Sequence, residues 1–203
     1  MTKRRYTLGQ RAATQEETRR RIVEATVHLH ETLGPRATTI SAVAERAKVQ
    51  RLTVYRHFAD ENELFKACTS HWFASHPIPE PSAWAMETGL ARVQRALGQL
   101  YSYYRRTEAM WTVTFRDEAD VPALEEPMRR VRSFLDGIRD DLLDHLAPDI
   151  SAIDGMRVTL GSAVQFPTWQ SLARQGPDDA AIAGLVCDWL RGVSSALPPA
   201  PHR

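Results

Sequence analysis

Apolar residues return every three or four positions along most of the chain, and clusters of proline, glycine and polar residues separate these stretches. That period belongs to helices packed on one face; the period-two alternation of a half-buried strand is nowhere convincing. The pattern predicts an all-α fold. A first helix is expected over about Thr14–Leu33, with Ile22, Thr26, Leu29 and Leu33 on one face, Thr14 and Glu17 at capping-box spacing, and Gly34-Pro35 as its stop. Met1–Ala13, basic and poor in apolar residues, reads as a disordered arm or one that follows a phosphate backbone or minor groove, and Arg19, Arg20 and Arg21 read as solvated charges in place of base readers, with one of them able to touch a phosphate.

The stretch Thr38–Phe65 organises the rest. Thr39 is placed to cap a short helix whose Ile40, Val43, Ala44 and Ala47 share one face, and Val49 is expected inside the turn that follows. Gln50–Phe58 forms a second helix whose apolar contacts reduce to Leu52, Val54 or Tyr55, and Phe58. A helix this short is marginal alone, so it must dock on its neighbours. Asp60 and Glu63 repeat the capping-box spacing for a helix over about Glu61–Ser75, with Leu64, Phe65, Cys68 and Trp72 inward.

Pro77, Pro79 and Pro81 then interrupt the pattern and divide the chain into 1–75 and 82–203. Beyond them helices are expected over about Ala83–Arg106, Glu108–Glu118, Pro122–Leu146 (ended by Pro148), Ile150–Gln175 (kinked by Pro167) and Asp178–Leu197, followed by a loose PPAPHR tail. The apolar face of the last helix is wide enough for both its own domain and a second subunit, which predicts a homodimer.

Composition narrows the class. The 203 residues are 43% hydrophobic and 25% charged, ordinary for a globular protein. No apolar run approaches the roughly 18 residues of a membrane span, and the polar N-terminus has no signal-peptide core. Cys68 and Cys187 form neither a disulfide framework nor a zinc pattern; a cytoplasmic protein is expected. Residues 1–66 hold 13 Lys/Arg against 8 Asp/Glu, whereas residues 67–203 hold 13 against 17. A basic head on an acidic body suits a polyanion reader. No catalytic, metal or cofactor motif is present: GxSxG, Gly-rich phosphate loops and HExxH are all missing. His28 and His30 point about 200° apart on a helix and cannot share a metal.

The polar face of Gln50–Phe58 carries side chains that suit the DNA major groove. Arg can grip guanine O6 and N7, Thr can meet a thymine methyl, and Tyr and His can bond phosphates. TVYRHF after TTI-x(2)-VAERA-x-V resembles the helix-turn-helix of TetR-type (tetracycline-repressor-like) transcriptional regulators, over about Glu17–Phe73. The resemblance implies an N-terminal three-helix DNA-binding domain and a larger helical domain for effector binding and dimerisation, in a non-enzymatic regulator, expected to be a repressor. It places Thr39, Ser41, Lys48, Gln50, Arg51, Leu52, Thr53, Tyr55, Arg56 and His57 at double-stranded DNA. It also implies an apolar effector cavity, for which Trp84, Tyr101, Tyr104, Trp111, Phe115, Phe134, Phe166 and Trp169 are candidates. Two positions depart from the family's habit: Lys48 stands where the turn often has Gly, and Glu61 where the next helix often has Lys. These departures are the only support for the rival reading, a helical small-molecule-binding protein or enzyme that no longer reads DNA. A third reading gives the last helix's apolar face to a foreign protein partner.

Overall fold

The computed structural model describes residues 2–146 and 152–195, with side chains over 13–146 and 152–194. The expected stop at Pro148, the helix start at Ile150, the helix end at Leu197 and the tail lie outside the described residues. Among those described, every regular element is helical, as the periodicity predicts: α1 (Thr2–Leu33), α2 (Ile40–Arg46), α3 (Arg51–His57), α4 (Glu61–Ser75), α5 (Gly89–Asp117), α6 (Glu125–Leu146), α7 (Ile153–Ala163), α8 (Phe166–Ala173) and α9 (Asp179–Ser195). Pro35, Pro81 and Pro122 each open a short 3-10 turn, where a missing N–H costs nothing.

Three expectations need correction. The basic arm is not without structure, because α1 begins at Thr2. Its residues include no proline and many good helix formers, and Thr14 accepts a bond from the Thr18 hydroxyl as a mid-helix carbonyl does rather than acting as a cap. The helices expected on either side of Thr107 are one helix, α5, which starts at Gly89 instead of Ala83. Thr107 is buried and its hydroxyl donates to the Tyr103 carbonyl at 2.7 Å, so this polar residue is satisfied without leaving the helix. The helix expected to bend at Pro167 is instead two, α7 and α8, with Gln165 extended between them at φ −83° and ψ 138°. The chain leaves the helix early enough that Pro167 falls in the first turn of α8, where no N–H is needed.

The chain falls into two compact units, Met1–Pro77 with Ala109–Pro127, and Ile78–Glu108 with Met128–Arg203. In the first unit α1 packs on α2 and α4, and α2 on α3. Ile22, Ala25 and Leu29 of α1 meet Val43, Ala44, Val54, Phe58, Leu64 and Cys68. Leu33, expected on the inner face, is 46% exposed at the end of α1. Asp60 caps α4 by accepting from the Glu63 N–H, and Glu63 reaches back to the Ala59 N–H, both at 2.8 Å. The corner after α1 is pinned from the end of α5. Buried Asp117 accepts the Arg36 N–H at 3.1 Å, and Arg116 donates to the Leu33 carbonyl at 2.7 Å. Gly34, at φ 96°, is the residue this corner requires, since a Cβ there would fall within 2.3 Å of both the Arg116 and Asp117 side chains.

In the second unit Leu97, Leu100, Ile138, Leu142, Leu160, Ile182, Val186 and Leu190 are buried to 1% exposure or less. Gly155 lets α7 approach α9 closely, because a Cβ there would meet Val193 at 2.7 Å. Two carboxylates organise the polar interior. Asp141 accepts Trp84 Nε1 at 3.0 Å and two bonds from Arg92, whose side chain is only 4% exposed. Asp179 accepts Trp169 Nε1 at 3.0 Å and a fork from Arg105. Burial alone would raise the pKa of each carboxyl, but the hydrogen bonds from arginine and indole, with the arginine charge, hold both below the ordinary value.

His30 sits in the first unit's core with Nδ1 3.6 Å from Cys68 Sγ and its ring 5.3 Å from that of Phe65. Burial pushes its pKa down to about 4, against the opposing charge of Asp117, and pushes the Cys68 thiol up to about 12. The folded state therefore prefers neutral His30. Its contribution is complete above the unfolded value near 6.5 and is lost as pH falls through about 4, a total of up to about 3 kcal/mol. Urea unfolding between pH 7 and 4 should show stability falling across that window in the native chain, with the fall removed in His30→Gln. An unchanged slope in the variant would assign the loss to other groups.

Candidate nucleic-acid interface

The turn between α2 and α3 sets the site. Val49 N–H donates to the Ala44 carbonyl at 2.9 Å and Lys48 N–H to the Glu45 carbonyl at 3.0 Å. This is the paired bond pattern of a Schellman stop, in which the residue after the cap is left-handed. That residue is Lys48, at φ 54°, and among the described residues it is the non-glycine with positive φ. Val49 turns inward and packs against the core, half-buried. The chain then enters α3 through Gln50, whose side chain makes no cap bond.

Because α3 is seven residues long, its pattern sorts cleanly. Val54 and Phe58 are 1% exposed and anchor it. Leu52 (59% exposed) and Tyr55 (41%) are not anchors; they face outward with Gln50, Arg51 and Arg56, while Thr53 and His57 are half-buried on its flanks. Thr39 and Ser41 are exposed at the N-terminal end of α2, and Lys48 is exposed in the turn that follows its C-terminal end. The Thr39 hydroxyl accepts the Ala42 N–H at 3.2 Å, so it caps α2 while remaining at the surface. The ten residues expected at DNA thus lie on one continuous stretch of α2, turn and α3. Among the described residues no carboxylate pairs with Lys48, Arg51 or Arg56. A concavity of about 590 Å³ beside α3 is bordered by Arg19, Thr53, Arg56 and His57, together with Gln15 and Glu16.

Sequence reasoning misread two arginines of α1. Arg20 is exposed and paired with Glu17 and Glu24, as a solvated charge would be. Arg19 and Arg21 are half-buried instead. Arg19 donates to the His57 carbonyl at 2.8 Å and lies 4.2 Å over the Phe58 ring, and Arg21 donates to the carbonyls of Ala47 and Lys48. A signal was available, since residues either side of an outward position flank the buried face of a helix.

The eight effector candidates do not form one wall. Tyr101, Tyr104, Phe166 and Trp169 come together: the Tyr hydroxyls donate to the Ala163 and Val164 carbonyls at 2.9 and 2.7 Å, and Tyr104 lies 5.5 Å from Phe166 and 5.8 Å from Trp169. Burial raises the pKa of both phenols above the ordinary tyrosine value. Trp84 sits apart with Arg92 and Asp141. Phe134 is half-buried on α6. Trp111 and Phe115 belong to the first unit, where Trp111 meets Trp72 edge-on at 5.7 Å. The second unit's open cleft, of about 630 Å³, is lined along α5 by residues outside that set, among them Gln94, Arg95, Gln99, Ser102 and Arg106.

The family model described as "Bacterial regulatory proteins, tetR family" matches residues 22–68, the span from the buried face of α1 through α4. The match is confined to the helix-turn-helix head, less than half of the chain. Solved structures share the fold over most of the chain. A TetR-like transcriptional regulator from Rhodococcus sp. RHA1 is 17% identical, with a TM-score of 0.63 over 88% of this chain and 96% of that one. A TetR-family transcriptional regulator from Haemophilus influenzae Rd is 12% identical, with a TM-score of 0.55 over 88% and 97%. The multidrug binding protein EbrR, complexed with imidazole, is 19% identical, with a TM-score of 0.51 over 91% and 92%. No curated protein matches the sequence. The family match covers the head, and the solved structures share the fold of the chain. Among the described residues no helix is long and apolar enough to cross a membrane.

The left-handed turn makes a direct prediction. Lys48→Gly should raise stability by about 1 kcal/mol, because an L side chain is disfavoured at this φ and glycine is not. Thermal unfolding of the two proteins checks it; a lower midpoint for the glycine variant would mean the turn holds no such strain.

Proposed function

We propose that the chain is a cytoplasmic, homodimeric repressor that reads a pseudo-palindromic operator and releases it when a small apolar effector binds the second unit. The observation that carries the reading is the exposed, unpaired cationic face of α2, turn and α3. Arg51 and Thr53 read base edges; Lys48, Tyr55, Arg56 and His57 hold phosphates; Thr39, Ser41, Gln50 and Leu52 complete the contact. Two heads about a two-fold axis then meet half-sites about one helical turn apart.

The dimer reading is supported by apolar surface on the last helices. Val158 of α7 is 73% exposed, and Leu185 and Trp189, one turn apart on α9, are 39% and 40% exposed. Large apolar side chains grouped on packed helices are the kind of surface that a second copy covers. The effector reading rests on the second unit's aromatic cluster of Tyr101, Tyr104, Phe166 and Trp169, and on the neighbour EbrR, whose structure holds imidazole. Domains 1–75 and 82–203 divide these tasks between DNA reading and effector response. Effector binding lowers operator affinity by the coupling free energy between the two sites, about 1–3 kcal/mol.

Arg51→Ala should cost about 1–3 kcal/mol at the selected operator and relax preference at one base pair. Fluorescence anisotropy at fixed salt measures this, and unchanged affinity removes Arg51 from the readout. Light scattering at micromolar concentration should give twice the chain mass for the native protein and a single chain for Trp189→Glu. A native monomer would remove the α7–α9 dimer.

A further inference from the structure

We infer that Arg19 and Arg21 of α1 are positioning residues that clamp the C-terminal end of the recognition helix and the turn that leads into it, and so set its tilt for sequence reading. α3 is held by one stripe, Val54 and Phe58, four residues apart. A two-turn helix on a single stripe can rock about it, and its own ends do little to stop this, since Gln50 supplies no cap bond. α1 supplies the missing restraint from both flanks of its buried face. Arg21 reaches the carbonyls of Ala47 and Lys48, the two peptides that enter the left-handed turn, and so fixes the N-terminal approach to α3. Arg19 reaches the other end, donating to the His57 carbonyl and lying over the Phe58 ring. A cation at a helix C-terminus also meets the negative end of its dipole.

The two anchors flank α3, one on the turn before it and one at its last residue. Loss of either one loosens a short lever that carries Arg51 on its outer face and Thr53 on its flank. Base readout depends on bidentate geometry, whereas phosphate attraction does not. The clamp therefore governs discrimination more than general affinity for DNA. That consequence rests on the DNA-reading assignment, but the clamp itself exists in the free protein and is tested there as well.

Arg19→Ala, Arg21→Ala and Arg21→Lys are compared with the native full chain on two duplexes: one selected from a random pool, and a scrambled sequence of the same composition. The selected duplex should lose ten-fold or more in each variant. The scrambled one should change less than two-fold with an unaltered salt slope. Arg21→Lys keeps the charge and the donors but ends one atom short of the Arg21 nitrogen that reaches both carbonyls, so it should behave like Arg21→Ala; full rescue by lysine overturns the proposal. Parallel weakening on both duplexes, with a salt slope reduced by about 0.9, also overturns it, because that is the signature of a phosphate contact. Amide hydrogen exchange without DNA supplies the second readout. Residues 53–58 should exchange about ten-fold faster in the variants while residues 22–30 are unchanged, and equal rates at 53–58 overturn the clamp. If the native chain shows no salt-dependent binding to either duplex, the DNA assignment fails and the exchange measurement alone decides the clamp.

Discussion

The burial of Val54 and Phe58 against α1 and α2 is the interaction on which the reading head depends. A seven-residue helix gains too few internal hydrogen bonds to offset the cost of nucleating it, so α3 exists because its neighbours hold it. The same shortness keeps its outer face polar: two anchors suffice, and every other position can be spent on solvent or a ligand. The price is paid at the turn, where Lys48 is left-handed so that Val49 can drop back into the core one residue later. The corner at Gly34 serves the same end, since Asp117 and Arg116 fix the chain just before Thr39 caps α2.

Much of the head was legible because its rules are local. The caps at Thr39 and Asp60, the face of Ile40, Val43, Ala44 and Ala47, and the need for positive φ at Lys48 all follow from side chains within a few residues. What was not legible involves partners far along the chain. The side chains that bind the end of α3 and the turn before it lie on α1, 26 to 38 residues away. A triple arginine reads as solvated until something places carbonyls beside its first and third members. The all-α class was legible for the same reason that helix ends were not: periodicity survives across Thr107, where a polar residue suggests a break and a buried hydroxyl bond prevents one.

The effector candidates show a second limit. Composition identifies aromatic residues but not which of them share a space. Trp111 and Phe115 lie on the same helix as Tyr101 and Tyr104, yet the compact units divide α5 after Glu108. Seven or more residues of continuous helix carry a side chain out of one core and into another, and no pattern of hydrophobicity marks the crossing.

Polar pins do for the second unit what the arginine pair does for the head. Trp84–Asp141–Arg92 ties the start of α5 to α6, and Trp169–Asp179–Arg105 ties its middle to α8 and α9. Apolar faces built from leucine, isoleucine and valine tolerate a shift of one helical turn with modest loss, because one branched side chain replaces another in the contact. A carboxylate that must accept an indole N–H and a guanidinium fork at once has no second register. Removing Arg92, whose side chain is buried, leaves Asp141 without its partner, which costs more than the pair contributed. The apolar faces therefore supply the attraction between these helices, and the two carboxylates select the one alignment in which both are satisfied.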